Sequence, residues 1–208
     1  MEFSLDRLGP RDRYKLLSGL VVPRPIAWVT TLNGDGSVNA APFSYFNLMG
    51  TDPPVVAIGH EERDDGTPKD TPRNVRERGE FVVHVVDEAL AEAMHQTSAG
   101  YAPGVSETER VGIETAPSAA VAVPRIGAAP AAIECREHAT VLVGRTRVVL
   151  GVAVHLHVRD DLVDADRLHV DAAALRAVGR MGGPLYTRTR DTFSLGPRPK
   201  PDDGGGSR

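Results

Sequence analysis

The sequence predicts a mainly β fold, an antiparallel barrel with short helices at its periphery. Three observations carry this expectation. Short apolar runs rich in β-branched residues recur at 26–31, 55–59, 81–86, 130–143 and 146–158; turn signals separate them at regular intervals; and few stretches between them have helical spacing. A doubly wound nucleotide fold does not fit that pattern.

The first element is a helix over 10–18, with Pro10 suited to a first turn and Gly19 to a left-handed stop. A hairpin follows. Residues 26–31 are β-branched and aromatic, and Asn33-Gly34-Asp35-Gly36 supplies the positive-φ positions of a reversing turn before Asn39 starts the return strand. Ala40 and Ala41 leave room for a close neighbour, and Pro42, which cannot donate to a ladder, marks an edge, a bulge or the strand's end. Beyond it, residues 44–47 can turn backbone N–H groups towards a ligand.

Residues 55–59, behind Pro53-Pro54, and 81–86, behind Gly79, read as central strands. Between them Glu61-Glu62-Arg63-Asp64-Asp65 reads as a solvated loop. A helix over 88–97 uses Ala89, Leu90, Ala93 and Met94 as its apolar face with Asp87 as N-cap, and 99–124 loosens into a long surface loop with short ordered pieces. The stretches 130–143 and 146–158 pair about Gly144-Arg145; a short helix over 171–178 starts near Asp171, and 180–186 is a compact loop. We expect one domain over 1–196 and a disordered tail over 197–208, whose Gly204-Gly205-Gly206 run can bury nothing.

A chain of 208 residues that is 41% hydrophobic can bury a sizeable core. Net charge is −4, and the basic residues are scattered rather than striped, which argues against a nucleic-acid partner. No apolar run is long enough to cross a membrane, and the acids of the first seven residues do not suit a signal peptide, so a cytoplasmic protein is expected. The one cysteine, Cys135, lies in a strand and reads as a buried structural thiol.

Two segments point to chemistry. The hairpin carries small hydroxyl, amide and aromatic groups at its far end, an arrangement that holds a planar polar molecule and equally serves an ordinary solvated hairpin. The second segment, 67–79, has Asp70 or Thr71 at the N-cap, Pro72 at the first helical position and Gly79 at the stop. Its N-terminus, beside Lys69, Thr71 and Arg73, suits a phosphate, although the same signals describe a plain surface helix and Asp70 repels an anion unless its carboxylate caps the helix. Together the two segments describe a mononucleotide, with an aromatic head near Trp28 or Phe46 and a phosphate tail at the helix. FMN is the redox cofactor with both parts.

The blocks Arg24-Pro25-Ile26-Ala27-Trp28-Val29-Thr30-Thr31, Ala41-Pro42-Phe43-Ser44-Tyr45-Phe46-Asn47, Lys69-Asp70-Thr71-Pro72-Arg73-Asn74 and Gly79-Glu80-Phe81-Val82-Val83-His84 resemble, in order and spacing, the flavin reductase-like family with its FMN-binding split barrel. The resemblance runs from about Tyr14 to Tyr186. It implies an antiparallel split β-barrel, a homodimer and FMN near the dimer interface. It further implies that Thr30 and Thr31 border the isoalloxazine or ribityl chain, that Ser44, Phe46 and Asn47 meet the ring edge, and that Lys69, Thr71 and Asn74 serve the ribityl-phosphate end. The loop Arg180-Met181-Gly182-Gly183 with Tyr186 resembles one that closes over the flavin in many relatives.

The expected function is an FMN-dependent oxidoreductase that takes hydride from NADH or NADPH and passes electrons to a free flavin or a protein partner. No dinucleotide fingerprint distinguishes the two nicotinamides, and no catalytic side chain is assigned. The alternatives are a non-catalytic FMN electron carrier of flavoredoxin type, or a split barrel holding haem, F420 or a pyridoxal-type phosphate. His155 and His157 share a strand face without an acid or cysteine at ligand spacing, so no metal site is expected. His84 and His95 read as structural, nothing local supports a role for His138, and Ser44 lies in no nucleophile elbow.

Overall fold

The computed structural model describes residues 1–63, 66–197 and 199. Its centre is a seven-stranded sheet of β1 (Ala27–Leu32), β2 (Val38–Phe43), β3 (Tyr45–Thr51), β4 (Pro54–Glu61), β5 (Glu80–His84), β8 (Ala131–Val143) and β9 (Thr146–Val158). Spatial order is β2-β1-β5-β8-β9-β4-β3, with every neighbouring pair antiparallel. The sheet curls, because Phe43 of β2 and Val56 and Ile58 of β4 pack into one cluster with Val29, Phe81, Cys135 and Val149. The expected antiparallel barrel is present.

The hairpin forms as its residues dictate, with Ala27 opposite Phe43 and Leu32 opposite Val38, and Gly36 takes the positive φ of the turn. Pro42 is tolerated because β2 is an edge strand. The 146–158 return is equally direct, turning at Gly144 with φ +59°. Register shifts at Glu134/Cys135 and Glu137/Ala139 bend this long pair around the core.

Helices α1 (Pro10–Leu20), α2 (Asp70–Arg78), α3 (Ala91–Gln96), α4 (Glu107–Val111) and α5 (Ala172–Leu175) lie around the sheet. Minor strands β6 (Thr115–Ala116) with β7 (Arg125–Ile126), β10 (Val163–Asp164) with β11 (His169–Val170), and β12 (Val178–Arg180) with β13 (Tyr186–Arg188) complete the chain. Val75 of α2 closes one end of the barrel core. On the outer face of β1 and β5, Trp28 packs with Met94, Ile126 and Val178, and Val82 packs with Val121 and Val123.

Several boundaries differ from expectation. Helix α1 continues through Gly19 to Leu20, because Gly19 keeps a helical φ and the chain leaves at Val21. Helix α2 begins at Asp70 with Lys69 as N-cap and without a side-chain cap, so neither Asp70 nor Thr71 caps it and Pro72 is its third residue. Gly79 is the stop, at φ +70°. Asp87 caps a turn, accepting from Leu90 N–H at 3.0 Å, and the helix itself starts only at Ala91. The 171–178 helix is a single turn, ended by Arg176 in the left-handed region, since Val178 is drawn into pairing with β13. The 180–186 loop is therefore the turn of a small hairpin.

Residues 99–124 are not a surface loop alone: Ser106, Glu107, Thr108, Val121 and Val123 are buried. Polar anchors draw the segment inwards. Glu134 accepts from the backbone N–H groups of Ala119, Ala120 and Val121 at 2.8, 2.6 and 3.2 Å, and Ser106 and Thr108 donate to Val38 C=O at 2.8 and 3.0 Å. In the 61–65 cluster, Glu61 ends β4 and Glu62 accepts from Arg147 Nε at 2.9 Å, while Asp64 and Asp65 lie outside the described residues. Most of the expected disordered tail, 200–208 with Arg198, also lies outside them.

His84 is fully buried and bonded through both ring nitrogens. Ile126 N–H donates to Nε2 at 2.9 Å, which places the proton on Nδ1, the donor to Trp28 C=O at 2.8 Å. Burial holds its pKa down at about 4, against an ordinary 6.5. The neutral ring is the folded form, so its stabilisation is complete above pH 6.5 and is lost as pH falls towards 4. Urea unfolding is expected to show a loss of roughly 3 kcal/mol across that window, absent from His84→Asn, which is less stable throughout.

Packing generates a second expectation. A Cβ on Gly151 would stand 2.3 Å from Phe81 Cζ, whereas one on Gly19 meets nothing within 4 Å. Gly151→Ala should therefore cost about 2 kcal/mol by overpacking. Gly19→Ala should add about 0.5 kcal/mol through the helix. Urea midpoints moving in the same direction for both would contradict this account.

Candidate functional site

The site is built on the free edge of β2. Edge strands carry unpaired N–H and C=O groups, and here Glu107 takes one by accepting from Ala40 N–H at 2.9 Å, while Ser106 and Thr108 take Val38 C=O. Further along, β2 faces the N-terminal turn of α2 across a cavity of about 320 Å³, lined by Asn39, Ala41, Phe43, Lys69, Thr71 and Glu107 among others. Pro42 and Ser98 also line a second cavity of about 210 Å³, walled by Tyr14, Met94, Ser44, Arg180 and Tyr186. The two share Pro42 and Ser98 and so adjoin as neighbouring parts of a cleft, a polar end named for Lys69, Asp70 and Thr71, where Phe43 and Tyr101 also stand, and an aromatic end named for Tyr14 and Tyr186.

A hydrogen-bonded bracket fixes the polar end. Thr31 Oγ1 accepts from Asn39 Nδ2 at 3.1 Å and from Asn74 Nδ2 at 3.0 Å; Asn39 also donates to Thr71 Oγ1 at 2.9 Å, and Asn74 to Asn33 Oδ1 at 2.9 Å. These bonds tie β1, β2 and α2 together. They also leave the Thr71 proton available to an acceptor in the cavity, whereas both Asn74 N–H groups are spent inside the wall.

Charge at the α2 end is cationic. The Asp70 carboxylate meets Arg73 at 2.5 Å and Arg63 at 3.9 Å and also accepts from Gly104 N–H at 3.3 Å. The side chain that would repel an anion is thus neutralised by arginines rather than by capping. Lys69 has no ion-pair partner among the described residues. Burial pushes the Glu107 carboxyl above the ordinary carboxylate range against the opposing Ala40 bond, and the nearby Asp70 charge pushes the same way. His60, buried behind Phe43 with neither ring nitrogen bonded, is held down at about 4 by burial and by the Lys69 charge.

At the other end Arg24 is the organiser. Its guanidinium donates to Ser18 C=O at 2.6 Å, Val21 C=O at 2.8 Å, Met181 C=O at 3.1 Å and Ser44 Oγ at 3.3 Å. One side chain thereby holds the α1 C-terminus, the 180–186 turn and Ser44, and the carbonyls at the helix end suit its charge. Because Ser44 Oγ accepts from Arg24, its own proton is free for an acceptor in the second cavity.

Of the residues singled out in the sequence, Lys69, Thr71 and Ser44 line the cleft, and Thr31 and Asn74 form the wall behind it. Thr30 is not brought there: strand alternation turns it to the opposite face, where it donates to Pro124 C=O at 2.8 Å. Phe46 packs against the barrel core, and Asn47 is exposed on β3, accepting from Leu48 N–H. Trp28 is no ring platform, being fully buried with Nε1 donating to Thr97 Oγ1 at 3.0 Å. Asn39, Glu107 and Arg24 are the additions; Arg24 stood inside a motif block and Asn39 at the start of the return strand, but nothing in the local sequence marks Glu107. His155 is exposed, and burial pushes the Cys135 thiol up to about 12, which makes it inert.

The family model described as flavin reductase like domain matches residues 18–179, which contain every element of the cleft except Tyr14, Arg180 and Tyr186. The chain belongs to this family. Within it, a Deinococcus radiodurans protein is 51% identical over 93% of this chain and 88% of its own length. The 2-nitrobenzoate 2-nitroreductase of Pseudomonas fluorescens superposes with a TM-score of 0.89 at 39% identity, covering 98% of this chain and all of that one (100%). Component B of nitrilotriacetate monooxygenase from Bacillus cereus gives 0.90 at 31% identity, covering 94% and 98%. A split barrel domain structure from Shewanella frigidimarina, 23% identical with a TM-score of 0.82 over 96% and 100%, shares the fold.

The bracket is testable directly. Asn74→Ala removes both amide N–H bonds, leaving Thr31 and Asn33 each short of a buried donor, and the bond Oδ1 accepts from Arg73, so unfolding free energy should fall by about 2 kcal/mol. A urea titration showing less than about 0.5 kcal/mol would mean that the network does not hold α2 in place.

Proposed function

We propose that this chain is an FMN-binding oxidoreductase, reduced by NADH or NADPH and delivering electrons to a free flavin or to another acceptor. The observation that carries this reading is the two-ended cleft: a cationic, helix-capped end with Asp70 already neutralised, joined along β2 to an aromatic end. A mononucleotide with a planar head has that distribution of charge and ring. Bound FMN supplies the redox chemistry.

The residues have separable tasks. Lys69 offers an ammonium, Thr71 a hydroxyl proton and the first turn of α2 its N–H groups, which suits a phosphate. Thr31 and Asn74 support this reading from behind, by fixing Thr71 and the helix. Ser44 presents a donor where the ring would lie, its direction set by Arg24. Thr30, Phe46 and Asn47 have no direct task in a cleft built by one copy of the chain.

The same reading includes a homodimer in the cytoplasm. Edge strand β3 exposes Tyr45, Leu48 and Met49, and the β8–β9 end exposes Val141, Leu142 and Val143, apolar surface that a second copy would cover. No helix is long and apolar enough to cross a membrane among the described residues.

An anaerobic titration tests the reading. The FMN-loaded protein should bleach on addition of NADH or NADPH, and Lys69→Ala with Thr71→Ala should weaken FMN binding by about a hundredfold, from two lost contacts to a charged group. Unchanged FMN affinity in that variant would remove the phosphate assignment. FMN bound but not bleached by either nicotinamide would identify a carrier reduced by another protein.

A further inference from the structure

We propose that the cavity between the outer side of α2 and the β8–β9 pair is a second anion site, fitted to a nucleoside diphosphate group, and that filling it weakens binding at the α2 end of the cleft. The coupling rests on the FMN reading above; the second site stands without it.

This cavity has a volume of about 300 Å³, the small end of the range for ligand pockets. Three guanidiniums line it, Arg73 and Arg76 from α2 and Arg147 from β9. They converge for a local reason. Asp70, Thr71, Asn74 and Val75 bury one side of the helix, which leaves Arg73 and Arg76, one turn apart, on the other. Arg147 stands opposite Leu142 in the strand register, and Pro68, Pro72 and Leu142 make the remaining walls apolar. Strand alternation turns Val141 and Val143 to the reverse face.

The positive charge there is only partly spent. Arg147 meets Glu62, with Nε 2.9 Å from the carboxylate, and Arg73 meets Asp70 at 2.5 Å, whereas Arg76 has no carboxylate partner among the described residues. His60, the register partner of Arg147 across β4 and β9, rises from the same face and is buried with neither ring nitrogen bonded, so one more N–H is unspent beside the cations. Guanidinium forks match phosphate oxygens in pairs, three of them exceed what a single charge needs, and proline and leucine walls suit a planar base. Arg73 supplies the coupling. Its partner Asp70 faces the cleft beside Lys69 and Thr71, so an anion that draws Arg73 outwards leaves that carboxylate with Arg63, 3.9 Å away, as its remaining cation. A phosphate at Lys69 then meets a poorly compensated negative charge, and the reciprocal effect on the second site follows of necessity.

Fluorescence titration of FMN into the full chain at rising ADP reads the coupling, and calorimetry with ADP alone reads the site. ADP should weaken FMN binding by about fivefold or more and then level off, since both ligands are bound at once. Direct competition at Lys69 would instead weaken it without limit. Arg76→Met, on the exposed side of α2, should leave FMN affinity without ADP unchanged and cost about tenfold in ADP affinity. Arg76→Lys, which keeps the charge but loses the fork, should fall between the two. Adenosine, which lacks the charge, should bind far more weakly than ADP. NAD⁺ separates two sources of the same group: an Arg76-dependent effect equal to that of ADP assigns the site to a dinucleotide, and a weaker one to a free nucleotide. The proposal is overturned if ADP does not bind, if both Arg76 variants bind it as the natural chain does, or if FMN affinity either ignores bound ADP or falls without limit. Arg76-dependent ADP binding in a protein that fails to bind FMN would uphold the second site and overturn the flavin reading instead.

Discussion

The hydroxyl of Thr31 is the point on which the polar end of this molecule depends. One oxygen accepts from Asn39 on the neighbouring strand and from Asn74 on the helix, and each amide uses its second N–H to secure a further group. A buried hydroxyl so placed leaves little freedom to the helix start, since moving α2 would orphan several donors at once, each costing on the order of 1–3 kcal/mol. The cationic turn at Lys69 is therefore a rigid wall of the cleft rather than a loop that happens to lie near it. Arg24 plays the corresponding part at the aromatic end, through carbonyls instead of amides.

Much of this was legible in the sequence because its causes are local. The hairpin follows from β-branched strands around Asn33-Gly34-Asp35-Gly36, and the end of α2 from Gly79. Lys69 and Thr71 sit at a helix start whose signals stand within a few residues of each other. The antiparallel class followed from strand-length runs with little helix between them, and the structure has that topology.

What was not legible depended on long-range partners. Period two says that Thr30 and Thr31 point to opposite faces, but which face is the cleft is decided by Asn39 and Asn74, 8 and 43 residues away. Trp28 looked like a platform because an indole beside a hairpin serves either purpose; it is claimed by Thr97 and the packing of Met94. Asp70 looked like a cap because Asp commonly is one, yet Arg73 one turn on captures it. Glu107 lies in a stretch of weak pattern, and only the fold shows that it reaches Ala40, 67 residues earlier.

The Glu107 contact reaches beyond the cleft. A curled, open sheet has two borders at which a further strand can be added, and here they are unequal: β2 has its backbone stoppered from another segment by Glu107, Ser106 and Thr108, while among the described residues the side-chain bond to a β3 backbone N–H is a local one, from Leu48 to the neighbouring Asn47. Molecules that join border to border can form chains only if both borders are open. With one sealed, any union through β3 consumes the remaining free border of each participant and stops at two, so an internal carboxylate also guards this fold against fibrous growth.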